Sequence, residues 1–349
     1  MHTEWDPYGP PGVAPVRGRS PWAVVIALVV TIGLVVAAFL LPIPVFYSYN
    51  PGPVRDVMTL VDVDGASTYS SEGSLLLTTV RVDTEVTFVE WLFAQVNPAR
   101  AIVTKDQVIP EGQTLDELRK EQRDQMEESK RHALEVVFTA LGLGHPTGKG
   151  ARVVGTIAGF PAAGVLRRGD VIVAVDGRRV QTTCDVGRSV DSHDVGEDVT
   201  ITVRRDGTRR TLAIRTTSSR EDPGASFIGV AMEEIAYSFN PEIAVDFKTG
   251  WIAGPSAGLM LALALYDQLT PDDLTNGRRI AGTGTIACDG GIGSVGGIEQ
   301  KVAGAEERGA EVFLSPKGSA AAAERVAGDI DVVAVATFAE AVEYLEGLD

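Results

Sequence analysis

The chain of 349 residues is long enough for two or three modest domains, and its 44 % hydrophobic content supports a sizeable core. Its formal net charge of −16 argues against nucleic acid as a partner, because a phosphate backbone binds to a basic surface. Two cysteines, Cys184 and Cys288, and four histidines without a CxxC pair argue against a structural metal site. We expect two separate buried thiols rather than one disulfide, and no cofactor.

The N-terminal residues predict the compartment. Residues 1–20 are rich in Pro, Gly and Arg and predict a disordered cytoplasmic tail. Residues 21–42 hold about twenty uncharged residues, enough to span a hydrocarbon core of about 30 Å. Arg17 and Arg19 precede them and favour an extracytoplasmic body. A cleaved signal peptide is the alternative, but no small-x-small site follows. We therefore expect a single-pass anchor in the cell membrane, in contact with lipid.

Residues 50–143 combine strand-like runs with one long charged helix. Gly73–Val82 is apolar and β-branched, as in a core strand. Thr114 and Glu117 form a capping box that predicts the start of a helix ending at Gly142. The first half of this helix is polar all round, so only its second half is expected to pack.

Residues 144–220 have a different pattern. The stretch FPAAGVLRRGDVIVAVDGRRV, Phe160–Val180, resembles the bacterial PDZ pattern closely. PDZ domains bind an extended peptide at a sheet edge, so the resemblance implies protein or peptide partners held in such a groove. Leu141–Gly144 is a candidate for the peptide-binding loop, and a plain helix C-cap explains it equally well.

The stretch GPSAG, Gly254–Gly258, opens an apolar helix. Pro255 suits a first helical position, and Ser256 then lies in the first turn. A nucleophilic hydroxyl gains from this place, because free backbone N–H groups, such as those of Ser256 and Ala257, can receive an oxyanion. A serine in a first turn is also ordinary helix architecture, so the motif alone does not decide.

Lys301 is the candidate base. A Gly-rich turn ends at Gly297, and Ile298 and Val302 mark the inner face of the next helix. Lys301 leans toward that face, where desolvation and the helix N-terminus both lower the pKa of an amine. A neutral amine near pH 7 can act as a general base. The alternative is a lysine that snorkels from the helix edge.

Together these motifs resemble the proteolytic domain of Lon peptidases, over residues 226–349. That family uses a Ser/Lys dyad, and its serine and lysine match Ser256 and Lys301. Its threonine, which helps to hold the lysine, matches Thr283 in Thr-Gly-Thr. Many members carry Asp three residues before the serine, where this chain has Ala253. No phosphate-binding loop is recognisable, so the resemblance implies an enzyme without its own ATPase domain.

The combination of anchor, PDZ domain and Lon domain resembles the YlbL-like PDZ-containing Lon-type peptidases of Gram-positive bacteria. The resemblance implies an α+β fold: an N-terminal transmembrane helix and a Lon-type α/β proteolytic domain carrying an inserted, β-barrel-like PDZ domain. Residues 50–143 would then supply the first strands and the long helix of the proteolytic domain. Lon domains form rings, so a hexameric homo-oligomer is a further expectation.

The sequence thus predicts a membrane-anchored, ATP-independent serine endopeptidase for extracytoplasmic proteins recognised through its PDZ domain. Ser256 would be the nucleophile, Lys301 the base and Thr283 the residue that orients it. The competing hypothesis is a non-catalytic PDZ adaptor whose Lon-like domain only binds peptide. A signal peptidase of the Ser/Lys type is a remoter alternative, and its motifs are not present.

Overall fold

The computed structural model describes residues 21–110, 112–218 and 225–348; the predicted tail, residues 1–20, lies outside them. The helices are α1 (Pro21–Leu40), α2 (Phe88–Ala94), α3 (Lys105–Val108), α4 (Leu115–Ala140), α5 (Thr183–Asp191), α6 (Gly258–Leu269), α7 (Ile298–Glu307), α8 (Ala320–Glu324) and α9 (Phe338–Glu346). The strands are β1 (Phe46–Pro51), β2 (Arg55–Asp56), β3 (Val61–Asp64), β4 (Ser74–Leu77), β5 (Val80–Asp83), β6 (Ala101–Thr104), β7 (Ala151–Thr156), β8 (Val171–Val175), β9 (Arg178–Arg179), β10 (Asp198–Arg205), β11 (Thr208–Arg215), β12 (Thr217–Ser218), β13 (Ser226–Phe227), β14 (Val230–Glu234), β15 (Ala244–Phe247), β16 (Arg279–Gly282), β17 (Thr285–Ile286), β18 (Ile292–Gly293), β19 (Val312–Pro316) and β20 (Asp331–Val335).

Helix α1 carries the apolar N-terminal segment. It has 20 residues, and its large apolar side chains are exposed. Its end packs on α2, where the rings of Phe39 and Phe88 meet edge to face with their centroids 4.9 Å apart. Within residues 21–110, 112–218 and 225–348, no helix qualifies as long and apolar enough to cross a membrane.

A five-stranded sheet in the order β2-β4-β16-β19-β20 forms the centre of the larger domain, and its last four strands are parallel. Because side chains alternate along a strand, Leu75 and Ile280 face one side of this sheet, while Leu76 and Phe313 face the other. The first side packs against α4 and α6, and the second against α7 and α8. Because the parallel strands are covered on both faces, their sequences are continuous apolar runs, as in β4.

Helix α4 joins this core only through its second half. Thr114 and Glu117 form the predicted capping box, and the first turns are exposed. Met126, Ala133 and Val137 are buried against α6, which is apolar nearly all round. Side chains from both the 57–138 and the 247–345 parts of the chain therefore share one hydrophobic core.

The second domain is a sheet in the order β11-β10-β8-β7-β14, with β9 beside β8 and with a core of its own. Helix α5 closes this core through Val186 and Val190. Strand β14 is an edge strand and pairs with β7 in antiparallel register. The sheet therefore extends past residue 220, the predicted limit of the PDZ domain, into the range 226–349 assigned from sequence to the Lon domain.

The expectation of two separate thiols is wrong. Cys184, in the first turn of α5, forms a disulfide with Cys288, in the turn between β17 and β18. The two cysteines are 104 residues apart in sequence, and their Cα atoms are 5.8 Å apart. The bond becomes geometrically feasible only once the smaller domain docks on the larger one, so spacing alone does not reveal it. It joins the two domains covalently.

Candidate active site

The GPSAG stretch forms the entrance to α6. Gly254 has φ +89°, a left-handed conformation that favours glycine. Residues Pro255–Ala257 form a 3-10 turn that leads directly into α6. The turn places Ser256 in front of the helix N-terminus, as the sequence pattern predicts.

The structure brings Ser256, Lys301 and Thr283 together. Lys301 Nζ lies 3.1 Å from Ser256 Oγ and 2.9 Å from Thr283 Oγ1. Lys301 is 4 % exposed and Thr283 is fully buried. The alternative of a lysine that snorkels to solvent is therefore wrong for Lys301, since its amine points inward.

Burial lowers the pKa of Lys301 to about 8, and no neighbouring charge in the described part of the chain contributes to this shift. Removing an ammonium from water disfavours its charged form, so the amine loses its proton more readily. At neutral pH roughly a tenth of the molecules then carry a neutral amine, which can accept a proton.

Thr283 holds the Lys301 amine through its hydroxyl oxygen. Its hydroxyl donates to the backbone carbonyl of Ser256 at 3.0 Å, so its oxygen is left to accept from Lys301. One N–H of the amine is thereby committed to Thr283 Oγ1. When the amine is neutral, its lone pair is available to the Ser256 hydroxyl.

Two backbone N–H groups at the nucleophile are without acceptors. Neither the N–H of Ser256 nor that of Ala257 has a hydrogen-bond partner among the described residues. Both belong to the first turn of the helical segment, where N–H groups have no intrahelical acceptor. They are suitably placed for a developing negative charge on a substrate oxygen.

Ser256 and Lys301 line a cavity of about 490 Å³. Its walls come from the end of β4, the start of β5 and the Gly-rich turn before α7, with Val80 and Val295 among the apolar contributors. Trp251 stands at the cavity as a 59 % exposed side chain, with the Arg55 guanidinium 5.0 Å from its ring centroid.

In the part of the chain that the structure describes, the side-chain partner of Ser256 is Lys301 and not histidine, the more usual base. The ring of His132 contacts the carbonyl of Ile286 and the side chain of Arg131. His193 lies in the smaller domain beside Asp176. Within residues 21–110, 112–218 and 225–348, no cluster of three or more His, Cys, Asp or Glu is arranged to hold a metal ion.

Leu141–Gly144 does not supply the peptide-binding loop. It ends α4, since the N–H groups of Leu141 and Leu143 donate to carbonyls of Val137 and Phe138. The helix C-cap explanation is therefore correct. Elsewhere in the smaller domain, the outer edge of β14 is unpaired within the described sheet and lies beside α5.

The turn before β14 requires glycine at position 229. Gly229 has φ +76°, and a Cβ there would lie 2.2 Å from Cβ of Phe160. In the sequence this turn corresponds to the apolar-glycine-apolar run Phe227–Val230. The run lies downstream of the PDZ-like stretch Phe160–Val180, whereas we expected the peptide-binding loop upstream of it. The pairing of β14 with β7 spans the whole domain, so local patterns do not indicate it.

Gly229→Ala is expected to destabilise the smaller domain by about 1–3 kcal/mol, because the methyl group overlaps Phe160 and the backbone is strained. Gly207→Ala is the matched control: Gly207 has φ +79° and open space around it, so only the strain is added. Thermal unfolding measures the stability lost by each variant, and the difference between the two losses is the contribution of the overlap with Phe160. Equal stability of the two variants would contradict the packing argument.

Ser129 of α4 lies in the stretch Gln125–Leu134, whose Met-x-Glu-Ser pattern resembles a helix of the Lon domain, but the sequence assigned it no role. Its hydroxyl donates to the carbonyl of Pro255 at 2.9 Å. Gln122, in the same helix, accepts the N–H of Gly254 through its backbone carbonyl at 2.9 Å. Helix α4 thus holds the GPSAG turn at two points.

Comparison with known proteins agrees with these two domains. Residues 123–216 match the family of PDZ domains, and residues 232–345 match the Lon protease (S16) C-terminal proteolytic domain. Lon protease 2 of Bacillus subtilis (strain 168) is 29 % identical over 103 residues, which is 29 % of this chain and 18 % of that protein. The chain thus spans less than a fifth of the length of this curated relative.

Two solved structures are similar to about a quarter of the chain. The PDZ domain of the SdrC-like protein Lmo2051 from Listeria monocytogenes is 26 % identical and covers 25 % of this chain and 90 % of its own, with a TM-score of 0.23. The solution structure of GtR34C from Geobacillus thermodenitrificans is 29 % identical and covers 24 % of this chain and 95 % of its own, with a TM-score of 0.22.

The two family matches fall on the two domains of the fold, one of the PDZ class and one of the Lon-type (S16) proteolytic class. In this combination of matches the chain is similar to PDZ-containing Lon-type peptidases.

Proposed function

We propose that this chain is a membrane-anchored, ATP-independent serine endopeptidase in which Ser256 is the nucleophile and Lys301 the general base. The observation that carries the proposal is the buried amine of Lys301, 3.1 Å from Ser256 Oγ and with a pKa lowered to about 8. A buried amine without an acidic partner among the described residues is unfavourable for folding, so its presence beside a serine suggests a chemical use.

The reaction is acyl transfer. Neutral Lys301 takes the proton of Ser256 as Oγ forms a bond to the carbonyl carbon of the substrate, and the carbonyl oxygen becomes an oxyanion. The N–H groups of Ser256 and Ala257 receive that charge. The C–N bond then breaks, and the Lys301 ammonium protonates the leaving amine. Water, deprotonated by Lys301, hydrolyses the resulting ester, and the proton returns to Ser256.

The PDZ domain supplies substrate recognition in this proposal. An extended segment of a protein adds to the free edge of β14 beside α5, where main-chain hydrogen bonds give affinity. Because the chain offers no recognisable ATP-binding motif, cleavage depends on segments that are already unfolded or locally opened.

Anchoring by residues 21–42 and an extracytoplasmic body are part of the proposal. They rest on the uncharged apolar run and on Arg17 and Arg19 before it. The Cys184–Cys288 disulfide fits an oxidising compartment. Carbonate extraction and protease accessibility of whole cells test this part. Release of the chain by carbonate would contradict the anchor.

The domain limits also belong to the proposal: 50–143 with 226–349 as one proteolytic domain, and 144–220 as the inserted PDZ domain. The shared core of α4 and α6 supports one proteolytic domain built from both segments. Because β14 pairs with β7, we place the second junction after Glu234 rather than at the residue 220 that the sequence suggested. A homo-oligomeric ring rests on the likeness to Lon domains alone, and light scattering of the detergent-solubilised chain tests it.

The test of function is cleavage without ATP. The full chain in detergent is incubated with casein, an unstructured protein, beside Ser256→Ala. We expect fragments from the wild type only. Thr270→Ala is the control, because it removes a hydroxyl at the far end of α6, away from the dyad, where the hydroxyl donates to the Tyr266 carbonyl. Absence of cleavage at pH 7 and at pH 9 would favour the non-catalytic adaptor instead.

A further inference from the structure

Ser129 makes an unusual contact for a serine in the middle of a long helix. It is 3 % exposed, and its hydroxyl donates to the carbonyl of Pro255 at 2.9 Å. A mid-helix serine ordinarily faces solvent or bonds a carbonyl one turn back in its own helix. Here the hydroxyl leaves α4 and reaches the turn that carries Ser256.

The acceptor of this hydrogen bond belongs to the peptide unit that contains the Ser256 N–H. A peptide unit is planar, and its C=O and N–H point in opposite directions. Fixing the Pro255 carbonyl toward α4 therefore fixes the Ser256 N–H on the other side, where no acceptor occupies it among the described residues.

The next peptide unit is held in the same way by other groups. The Ser256 carbonyl accepts from the Thr283 hydroxyl at 3.0 Å and from the Gly284 N–H at 2.9 Å. These bonds fix the direction of the Ala257 N–H. Both free N–H groups at the nucleophile are thus oriented through their carbonyls. Ser129 and the Gly258 N–H both donate to the Pro255 carbonyl, so Ser129 adds the one side-chain donor to a bond that the turn itself makes. Thr283 and Gly284 hold the second carbonyl.

The contact between Ser129 and the GPSAG turn requires a glycine at position 258, the last residue of the motif. A Cβ at Gly258 would lie 2.5 Å from Ser129 Oγ and 2.5 Å from a methyl group of Ile286. Its φ is an ordinary helical −55°, so conformational freedom does not explain the glycine. The close approach of α4 does.

We infer that Ser129 is a positioning residue that orients the Ser256 N–H toward the substrate oxyanion, an inference that rests on the proposed function. Ser129 touches neither the substrate nor Lys301. Its loss therefore affects the stabilisation of the transition state and leaves the titration of Lys301 and the binding of substrate unchanged.

Ser129→Ala in the full chain is expected to lower kcat about tenfold or more, since removing an oxyanion donor altogether lowers kcat by about 10²–10³. KM is expected to stay within about twofold, and the midpoint of the pH profile to stay near 8. Ser129→Thr, which keeps the hydroxyl, restores most of kcat. Thr270→Ala serves again as control and keeps the wild-type kcat.

A crystal structure of Ser129→Ala tests the inference without turnover. The Pro255 carbonyl is expected to rotate away from α4, and an unchanged carbonyl would overturn the inference even if the wild type cleaved nothing. An equal kcat for Ser129→Ala and the wild type would overturn it as well, as would a loss that Ser129→Thr shares. Failure of the proposed function is a separate result: a wild type as inactive as Ser256→Ala.

Discussion

Lys301→Met is expected to abolish peptide-bond cleavage and at the same time to stabilise the fold. Methionine fills a similar volume without an amine, so kcat is expected to fall by about 10³ or more when the base is lost. The lowered pKa of Lys301, about 8 against an ordinary 10.5, corresponds to a folding penalty of about 3 kcal/mol that methionine removes. Casein cleavage and thermal unfolding at pH 7 measure the two effects.

The pH dependence of the wild type follows from the same pKa. Below pH 8 the amine is mostly charged, so kcat/KM is expected to rise about tenfold per pH unit up to about pH 8 and to level off above it. The folded pKa lies below the unfolded one, so the unfolded chain binds more protons between pH 8 and pH 10.5. The penalty of Lys301 is thus fully present below pH 8 and is relieved as pH rises through that window.

Two results would contradict this account. The first is a kcat/KM that does not change between pH 6 and pH 8. The second is a Lys301→Met variant less stable than the wild type at pH 7, which would mean that the amine stabilises the site rather than straining it. Lys248→Met is a control, because Lys248 is exposed and paired with Asp62 on the surface.

Replacing both cysteines, Cys184→Ser with Cys288→Ser, is expected to lower the free energy of unfolding by about 4–5 kcal/mol. In the chain-entropy account, a cross-link that closes a loop of about 100 residues removes that much freedom from the unfolded chain. The 104-residue separation of the cysteines falls in this range. Denaturant unfolding of the double variant and of the wild type measures the difference.

Reduction of the wild type by a dithiol provides the matched control, since it opens the same loop without a substitution. It is expected to reproduce the loss seen in the double variant and to leave that variant unchanged. A wild type whose stability does not respond to the dithiol would contradict the cross-link. The double substitution avoids the lone thiol that either single one would leave.

Part of this architecture was predictable because its signals are local. The PDZ pattern of residues 160–180 and the GPSAG turn each lie within a few consecutive residues, and both predicted the correct domain type. The inward direction of Lys301 followed from the spacing of its apolar neighbours. The catalytic roles of Ser256, Lys301 and Thr283 stay predictions. The structure does place the Lys301 amine within hydrogen-bond distance of both the Ser256 and the Thr283 hydroxyl.

The rest depends on contacts between distant segments. Ser129 looks like any polar residue of a charged helix until α4 is packed against α6. The edge strand β14 could not be assigned to the smaller domain, since its partner β7 precedes it by a whole domain. The Cys184–Cys288 bond required knowledge of how the two domains dock. In each case the decisive neighbour is supplied by tertiary structure, which residue spacing does not encode.

The parallel pairing of β4 with β16 has a consequence for biosynthesis. Leu75 pairs with Ile280 across these two strands, although the entire smaller domain lies between them in the sequence. Contacts of such sequence separation form slowly, and here they must wait until almost the whole polypeptide has emerged. Ser256 and Lys301 sit on helices that this late pairing brings together. A growing or truncated chain that lacks this pairing therefore has no assembled Ser256–Lys301 pair.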